Sequence, residues 1–362
     1  MQPYKKWTIY VLSFIMLSLS SIAGMNYVVD PYGIYHFAGR EFNYQKSVES
    51  DPYLIKAFQV KKYEPDAIVL GTSRAMRLNP PFIESLTGWK TYNLGLSAAN
   101  PKIDLAYLEY TMRVDNNLKT VFLGLDFEVF DNNYPDHANF KEARLSSFFY
   151  TQDLFASLLS EKALIDSRKV LTDNLRHTAN YTENRYLGDG SFDENLVYPP
   201  NANEETVRLL PTKFQLSSKS LMNIQKIKEL CDQNNIKLYV YISPVHAIVL
   251  ETFWQNGLWS QFEDWKRQVT AIVPIWDFSG YHDISMSSLH DRENYNDLSH
   301  FSKKIGNLML YRMLDKNIEQ VPSYFGIRLT PDNIETHLIQ LRADREQWPQ
   351  RDHSILELIN NY

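Results

Sequence analysis

The longest uncharged stretch of this sequence lies near its N-terminus. No residue from Trp7 to Val29 carries a charge, and the run lies between Lys5 and Lys6 on one side and Asp30 on the other. At 1.5 Å per residue it forms a helix of roughly 34 Å, which is enough to cross the hydrocarbon core of a bilayer. The sequence therefore predicts a transmembrane helix and a protein anchored in a lipid bilayer.

The lysines before this run predict a cytoplasmic N-terminus, with the main domain periplasmic or extracellular. A cleaved signal peptide is the alternative, because Ser21, Ile22 and Ala23 followed by Gly24 resemble a small-residue cleavage site. The apolar run continues past that site to Val29, which favours a retained anchor and a single-pass membrane protein. Either outcome exports the chain.

The overall composition is that of a folded protein with a sizeable core. The 362 residues are 44% hydrophobic and 22% charged, with 43 acidic and 37 basic side chains. This balance offers no basic surplus for a phosphate backbone, so we expect no nucleic-acid partner. The single cysteine, Cys231, excludes intrachain disulfides and multi-cysteine metal sites.

Motifs for cofactors and metals are missing from the sequence. It contains no Gly-x-Gly-x-x-Gly and no Gly-Lys-Ser/Thr loop, which are the signatures of dinucleotide and nucleoside-triphosphate sites. His282, Asp283, His290 and Asp291 are close in sequence, but their spacing matches no metal motif. We therefore predict that the protein uses no cofactor and no metal.

Five short apolar runs alternate with helical patterns along the rest of the chain. The predicted strands are 66–70, 90–94, 120–123, 237–242 and 273–278. Helices are predicted at 153–170 and 245–271, and apolar residues at helical spacing from Leu221 to Cys231 indicate another. Strands that alternate with helices favour an α/β fold with a central, largely parallel sheet and helices on both faces.

Three segments are expected along the chain. They are a cytoplasmic tip and transmembrane anchor at 1–29, an extracytoplasmic domain at 30–320 and a C-terminal appendage at 321–362. Within the domain, residues 131–214 interrupt the alternation with a stretch rich in Asn, Asp, Tyr and Arg. Long polar excursions of this kind are functional lids or disordered loops. We predict an insertion over the carboxyl ends of the strands.

In an open parallel sheet, ligands bind where the strands end at their carboxyl side. The residues there are 71–74 (Gly-Thr-Ser-Arg), 95–97 (Gly-Leu-Ser), 124–126 (Gly-Leu-Asp) and 243–246 (Ser-Pro-Val-His). Ser73 follows a buried strand and precedes a short helix that Pro80 and Pro81 are expected to end, so that backbone N–H groups could stabilise an oxyanion beside it. A serine in this position is more often a helix cap, so Ser73 alone does not identify a nucleophile.

A second candidate element follows the fifth predicted strand, where 296–300 reads Asn-Asp-Leu-Ser-His. A serine nucleophile needs a base of near-neutral pKa and a carboxylate that orients the base. Asp297 and His300 are three residues apart, which allows them to make contact. A capping box with a solvated His300 is the alternative, and the place of the motif in the chain favours the catalytic interpretation.

The order of these motifs resembles the SGNH (GDSL-like) hydrolase superfamily. Its pattern is a Gly-Asp-Ser block after the first strand, a Gly after the second, Gly-x-Asn after the third and Asp-x-x-His near the end. The corresponding positions here are 71–73, Gly95, 124–126 and 297–300. The resemblance covers residues 66–313 and implies a three-layer α/β fold with a central parallel sheet.

The same resemblance implies a role for each matching residue. Ser73 corresponds to the nucleophile, His300 to the base and Asp297 to the carboxylate that orients it. The backbone N–H groups of Ser73 and Gly95 correspond to the oxyanion hole. Thr72 replaces the family's Asp, a change that leaves the nucleophile in place.

Asp126 is a second departure, because the family has Asn at the end of its third motif. An ionised carboxylate only accepts hydrogen bonds and would repel an oxyanion. Several explanations stay open: Asp126 is protonated, it points away, Asn100 replaces it in the oxyanion hole, or the site does not hydrolyse esters in the ordinary way.

Three more side chains join Asp126 as candidates for substrate binding. Arg74 and Arg77 flank the nucleophile's helix, and they either bind an anionic polymer or pair with nearby carboxylates. His246 follows the fourth strand, where it either touches substrate or is simply packed or solvated, which is the commoner case.

The N-terminal anchor narrows the resemblance to one group of the superfamily. Anchored proteins with a Gly-Thr/Ser-Ser-Arg block include the D-alanyl transfer protein of teichoic-acid modification and the alginate O-acetylation proteins, which act with a membrane-bound O-acyltransferase. The resemblance implies O-acyl transfer through a serine acyl-enzyme to an exported or cell-envelope polysaccharide. The alternatives are an anchored esterase or deacetylase and a non-catalytic polymer-binding or scaffolding subunit, which Asp126 would favour.

Overall fold

The computed structural model describes residues 3–35, 42–43, 52–176, 188–191, 202–288 and 292–348, with the backbone alone at 147–150. Within them the strands are β1 (Ala67–Leu70), β2 (Thr91–Asn93), β3 (Thr120–Leu125), β4 (Lys237–Ile242), β5 (Ile275–Asp277) and β6 (Ile327–Leu329). The α-helices are α1 (Pro3–Val29), α2 (Pro52–Tyr63), α3 (Pro80–Thr87), α4 (Pro101–Val114), α5 (Ser147–Leu159), α6 (Glu161–Leu175), α7 (Ala202–Leu209), α8 (Ser218–Gln233), α9 (Ala247–Gln255), α10 (Trp259–Ile272), α11 (Lys303–Leu314) and α12 (Ile334–Gln347).

The six strands form one sheet in the order β2-β1-β3-β4-β5-β6. The first five run parallel, with Ala67 of β1 paired with both Thr91 of β2 and Thr120 of β3. Every residue of β1 and β3 is buried, as expected for apolar runs in a sheet that is covered on both faces. The predicted α/β fold with a largely parallel sheet is confirmed.

The third strand is longer than predicted and includes Gly124. The sequence suggested that Gly124 ends the strand, but β3 continues to Leu125 beside Ile242 of β4. A Cβ at Gly124 would lie 2.8 Å from the hydroxyl of Tyr241. Glycine is needed here because a neighbouring ring approaches the strand closely, a recognised reason for glycine inside a strand.

The sixth strand, β6, is absent from the sequence-based prediction. It lies within residues 321–362, which were expected to form an appendage, yet it extends the sheet by pairing antiparallel with β5. Leu329 pairs with Ile275, and Ile327 pairs with Asp277. Three residues are too few to produce a visible period of two, so only the tertiary pairing identifies this strand.

Three helix predictions also need correction. The short helix expected after Ser73 is a single 3-10 turn, Ala75–Arg77. Pro80 begins a separate helix, α3, because proline at the first helical position loses no intrahelical hydrogen bond. The predicted helix at 153–170 is two helices, α5 and α6, and the side chain of Ser160 accepts a hydrogen bond from Ala163 N at the start of α6. The predicted helix at 245–271 is likewise divided into α9 and α10.

The chain divides into two compact units. One contains residues 1–59, 141–188 and 192–197, and the other contains residues 60–140, 189–191 and 198–362. The second unit holds the whole sheet, and its largest apolar cluster joins Val69, Phe122 and Tyr241 of the strands to Ile305 and Met309 of α11.

The predicted insertion at 131–214 contributes to both units. Its helices α5 and α6 belong to the first unit together with α1. Residues 189–191 belong to the second unit, where Asp189 O accepts a hydrogen bond from Asn93 N at the end of β2. Most of the polar stretch at 181–203 lies outside the described residues.

Candidate active site

The turn that carries Ser73 begins at a glycine that no other residue can replace without strain. Gly71 follows β1 with φ at +127°, and a Cβ on it would lie 2.8 Å from Gly124 O. The chain then turns through Thr72 and Ser73, and Ala75 N donates to Thr72 O at 3.0 Å. This short turn places Ser73 at the carboxyl end of the sheet, as predicted.

Ser73, His300 and Asp297, which the sequence singles out from distant segments, form one hydrogen-bonded series. Ser73 Oγ lies 2.8 Å from His300 Nε2, and His300 Nδ1 lies 2.8 Å from Asp297 Oδ2. Burial would raise the pKa of Asp297, but the charge and hydrogen bonds of His300, with backbone N–H donors, outweigh it and lower that pKa. The ionised carboxylate accepts a hydrogen bond from the Nδ1–H group, which leaves the Nε2 lone pair for the Ser73 hydroxyl.

Backbone hydrogen bonds fix the loop that holds Asp297 and His300. Asp297 Oδ1 accepts from the N–H groups of Ser299 and His300, both at 2.7 Å. At the middle of the loop, Leu298 O accepts from His246 N at 3.0 Å, and Leu298 N donates to Asn203 Oδ1 at 3.1 Å. The loop therefore holds the base and its carboxylate on a braced backbone.

Arg74 connects the turn that carries Ser73 to the loop that carries His300. Its Nε donates to Ser299 O at 3.2 Å and to Ser299 Oγ at 3.0 Å. Its terminal nitrogens contact Asp126 at 3.0 Å and Glu128 at 2.7 Å. Arg74 is buried, so the structure supports the interpretation that it pairs with carboxylates of its own chain.

Asp126, the departure from the family pattern, also has both oxygens engaged within the protein. Its Oδ1 contacts Arg74, and its Oδ2 accepts a hydrogen bond from Thr72 Oγ1 at 2.5 Å. Thr72 and Asp126 are the two positions at which the sequence differs from the SGNH pattern that it resembles, and they bond to each other. Asp126 therefore points into this network, which is one of the explanations that the sequence left open.

Asp104, on α4, is a buried acid beneath the nucleophile's turn, and the sequence did not single it out. It accepts a hydrogen bond from the backbone N–H of Gly71. Burial raises its pKa to about 8, against the effect of that hydrogen bond and helped by the negative charge of Asp126. An Asp in the first turn of a helix is an ordinary sequence feature, so nothing in the sequence marks it.

The two backbone N–H groups predicted to form the oxyanion hole, those of Ser73 and Gly95, differ in their hydrogen bonds. Within the described residues, the Ser73 N–H makes no hydrogen bond, which leaves it available to an oxyanion. The Gly95 N–H donates to Asn93 Oδ1 at 2.9 Å, and Gly95 lies against the backbone of Met76.

Asn100 is the N-cap of α4. Its Oδ1 accepts from Ile103 N, and its Nδ2 donates to Asp136 Oδ1 at 2.9 Å. These bonds hold the Asn100 amide at the helix end, and its oxyanion role stays a prediction.

The two remaining candidates for substrate binding, His246 and Arg77, lie at the ends of helical elements. His246 caps α9, with Nδ1 accepting from Ile248 N and Nε2 bonded to Ser287 O at 2.9 Å. Burial lowers the pKa of His246 to about 4, so the ring is neutral at physiological pH. Arg77 ends the short 3-10 turn after Arg74 and is partly buried.

The residues considered for metal binding are only partly described. In the described part of the chain, no three His, Cys, Asp or Glu side chains converge as metal ligands. His282 is partly buried, and its ring stacks on Tyr324 with centroids 5.6 Å apart. His290 and Asp291 lie outside the described residues.

Comparisons with known proteins do not assign this chain to a family. No protein-family model matches the chain, and a comparison with curated proteins finds no significant match.

Proposed function

We propose that this chain is a membrane-anchored serine acyltransferase of the SGNH type, which transfers an acyl group to a hydroxyl of an exported or cell-envelope polysaccharide. The proposal is carried by the series from Ser73 Oγ through His300 to Asp297, with both links at 2.8 Å. Such a series activates a hydroxyl for attack on a carbonyl carbon. The three-layer SGNH arrangement belongs to the same proposal, and the mostly parallel sheet supports it.

The first step loads the acyl group. His300 Nε2 takes the proton from Ser73 Oγ as the oxygen attacks the acyl carbonyl carbon, and the oxyanion that forms lies beside the Ser73 N–H. The bond from that carbon to the donor's leaving group then breaks, and His300 returns its proton to the leaving group. The product is an ester on Ser73.

The second step transfers the acyl group to the glycan. His300 takes a proton from a sugar hydroxyl, whose oxygen attacks the ester carbon, and the bond from that carbon to Ser73 Oγ breaks. Ser73 recovers its proton from His300. Asp297 stabilises the imidazolium in both steps without taking a proton itself.

The proposed partners follow from the membrane helix. α1 is long and apolar enough to span a bilayer, and a membrane-bound O-acyltransferase is the proposed source of acyl groups. Lys5 and Lys6 support an N-terminus in the cytoplasm and a main domain that is periplasmic or extracellular.

An anchored esterase or deacetylase is the second candidate, because the same three side chains activate water as readily as a sugar hydroxyl. Ser73 is only partly buried, which leaves room for either acceptor to approach. The argument for a scaffolding subunit is weaker, because it depended on Asp126, and Asp126 is bonded to Thr72 and Arg74.

Labelling of the solubilised full chain with a fluorophosphonate tests both enzyme candidates. We expect the wild-type chain to be labelled and Ser73→Ala to be unlabelled. Ser85→Ala is the matched control, since Ser85 is exposed on α3 and only bonds to Phe82 O. Equal labelling of wild type and Ser73→Ala would remove Ser73 as the nucleophile.

The products separate the two enzyme candidates. A chain acylated on Ser73 is incubated with and without a soluble glycan, and both the free acid and the glycan ester are measured. We expect the ester to form when glycan is present and little acid to be released without it. Rapid acid release that glycan does not divert would assign the chain as an esterase.

A further inference from the structure

The end of α1 is packed against a helical hairpin of the same unit, α5 and α6. Asn26 of α1 is fully buried, its Nδ2 donates to Leu158 O of α5, and its Oδ1 accepts from Ser167 Oγ of α6, each at 2.7 Å. Three residues after the end of α1, the Tyr32 hydroxyl donates to Asp166 Oδ2 of α6 at 2.7 Å. The two helices are therefore fixed beside one level of α1.

That level coincides with the edge of the hydrocarbon core. A core of about 30 Å accommodates about 20 helical residues at 1.5 Å each. Counted from Trp7, the first residue of the uncharged run, 20 residues end at about Asn26. Leu158 and Ser167, which bond to Asn26, therefore lie at the boundary between acyl chains and headgroups.

The outer surface of α5 at this level is apolar. Phe155 and Leu159, one helical turn apart, are 61% and 41% exposed. They flank Leu158, whose carbonyl bonds to Asn26. On α1 itself, Tyr27 and Val28 are 48% and 45% exposed, and tyrosine is enriched at membrane interfaces. Apolar side chains grouped at one level beside a membrane helix indicate contact with lipid.

The neighbouring helix α6 supplies basic side chains. Lys162, Arg168 and Lys169 are exposed, and Lys162 pairs with Asp166 at 3.1 Å. Glu161 and Ile165 are exposed on the same helix. Cations beside an apolar surface match the phosphates that lie just outside the acyl chains. The apolar surface also lies beside the helix that is proposed to span the bilayer, so a lipid leaflet is the occupant that this combination favours.

We propose that the α5–α6 hairpin is a second membrane element, which lies in the leaflet from which α1 emerges. Phe155 and Leu159 enter the acyl-chain boundary, and the basic side chains of α6 face the headgroups. This interface fixes the unit around α1 at the bilayer surface. The proposal does not depend on the chemistry proposed for Ser73.

The test places a fluorescent probe on the hairpin of the full chain. Cys231 is the only cysteine, so Cys231→Ser gives a background for Phe155→Cys and Leu159→Cys labelled with a nitrobenzoxadiazole dye. Met222→Cys on α8 is the matched control, because Met222 is 61% exposed, the same fraction as Phe155. Circular dichroism of each labelled chain verifies that it is folded.

Each labelled chain is reconstituted alone into vesicles of phosphatidylethanolamine and phosphatidylglycerol, with or without bromine on the acyl chains. We expect brominated lipid to remove most of the fluorescence at 155 and 159 and little of it at 222. Quenching at 155 and 159 no greater than at 222 would overturn the proposal. Cross-linking of position 155 to a membrane protein in cells, without quenching in these vesicles, would also overturn it and assign the surface to a protein.

Discussion

Arg74 is the residue on which most of the site's internal contacts converge. It follows the nucleophile and contacts Asp126, Glu128 and Ser299, the last of which precedes His300. One buried guanidinium thus joins the ends of two strands to the loop of the base. We infer that Arg74 positions the reacting groups and does not bind the polymer.

Replacement of Arg74 should therefore affect both stability and reactivity. Arg74→Ala leaves Asp126 and Glu128 without their cation, and the loss of one partner of a buried ion pair costs about 3–5 kcal/mol of unfolding free energy. Thermal unfolding measures this loss, and fluorophosphonate labelling of Ser73 should slow in parallel. The control Arg113→Ala, at an exposed position on α4, should stay within about 0.5 kcal/mol of wild type. If Arg74→Ala also stays within about 0.5 kcal/mol of wild type, that would contradict the positioning role inferred for Arg74.

Asp104 predicts a dependence of stability on pH. Its pKa in the folded protein is about 8, above the ordinary value of a carboxyl. The folded state thus holds a proton that the unfolded state has released, and stability falls as the pH rises from about 4 to about 8. The amide of the Asp104→Asn variant cannot ionise, so the variant should lack this part of the pH dependence. Its free energy of unfolding relative to that of the wild type should therefore increase as the pH rises. Parallel melting temperatures of the two proteins across this pH range would contradict the prediction.

The sequence predicted the side chains that meet in the site better than the contacts around them. Ser73 could be found because it lies in a short motif next to the end of β1, and Asp297 and His300 because they share a short motif just before α11. The bond between Thr72 and Asp126 could not be found, because it joins residues 54 positions apart whose types match no known motif.

At the scale of elements, the close packing of β3 on β4 gives a specific prediction. Gly124→Ala would place a methyl group 2.8 Å from the Tyr241 hydroxyl, where the surrounding sheet leaves little room to move. Overpacking of this kind costs about 1–3 kcal/mol of unfolding free energy. Chemical denaturation measures it, with Gly24→Ala as the control because nothing lies within 4 Å of a Cβ at Gly24. Equal stability of both variants would show that β3 and β4 do not approach as described.

The five parallel strands were predictable, and the antiparallel strand β6 and the break between α5 and α6 were not. β1, β3 and β4 are runs of four to six residues that end abruptly, which single-sequence patterns detect. β6 has three residues and depends on pairing with β5. The break between α5 and α6 depends on one serine cap at Ser160, within a pattern that otherwise continues as a helix.

At the scale of the whole molecule, the proposed function requires the sheet unit to be on the exported side of the membrane. A reporter enzyme that matures only after export, fused after Trp348, should therefore be active in cells. Replacement of Lys5 and Lys6 by Glu should lower that activity, because basic residues next to the helix set its orientation. Full activity of a reporter that works only in the cytoplasm would contradict the proposed topology.

The sequence predicted the α/β class and a helix long and apolar enough to span a membrane, but not the division into two units. The uncharged run is a local property, and so are the strand patterns. The assembly of 1–59 with 141–188 depends on contacts across the chain, such as the bond from Ser167 to Asn26, 141 positions apart. No local pattern encodes that pairing.

The central claim is that His300 and Asp297 activate Ser73 for acyl transfer. The most direct measurement is the site and rate of acylation when the solubilised full chain meets an activated ester such as p-nitrophenyl acetate, with peptides mapped by mass spectrometry. We expect the acetyl group on Ser73 in the wild type, and a rate lower by about 10³-fold or more in His300→Ala. Acetylation of Ser73 at the same rate in His300→Ala, or acetylation only elsewhere in the chain, would contradict the account.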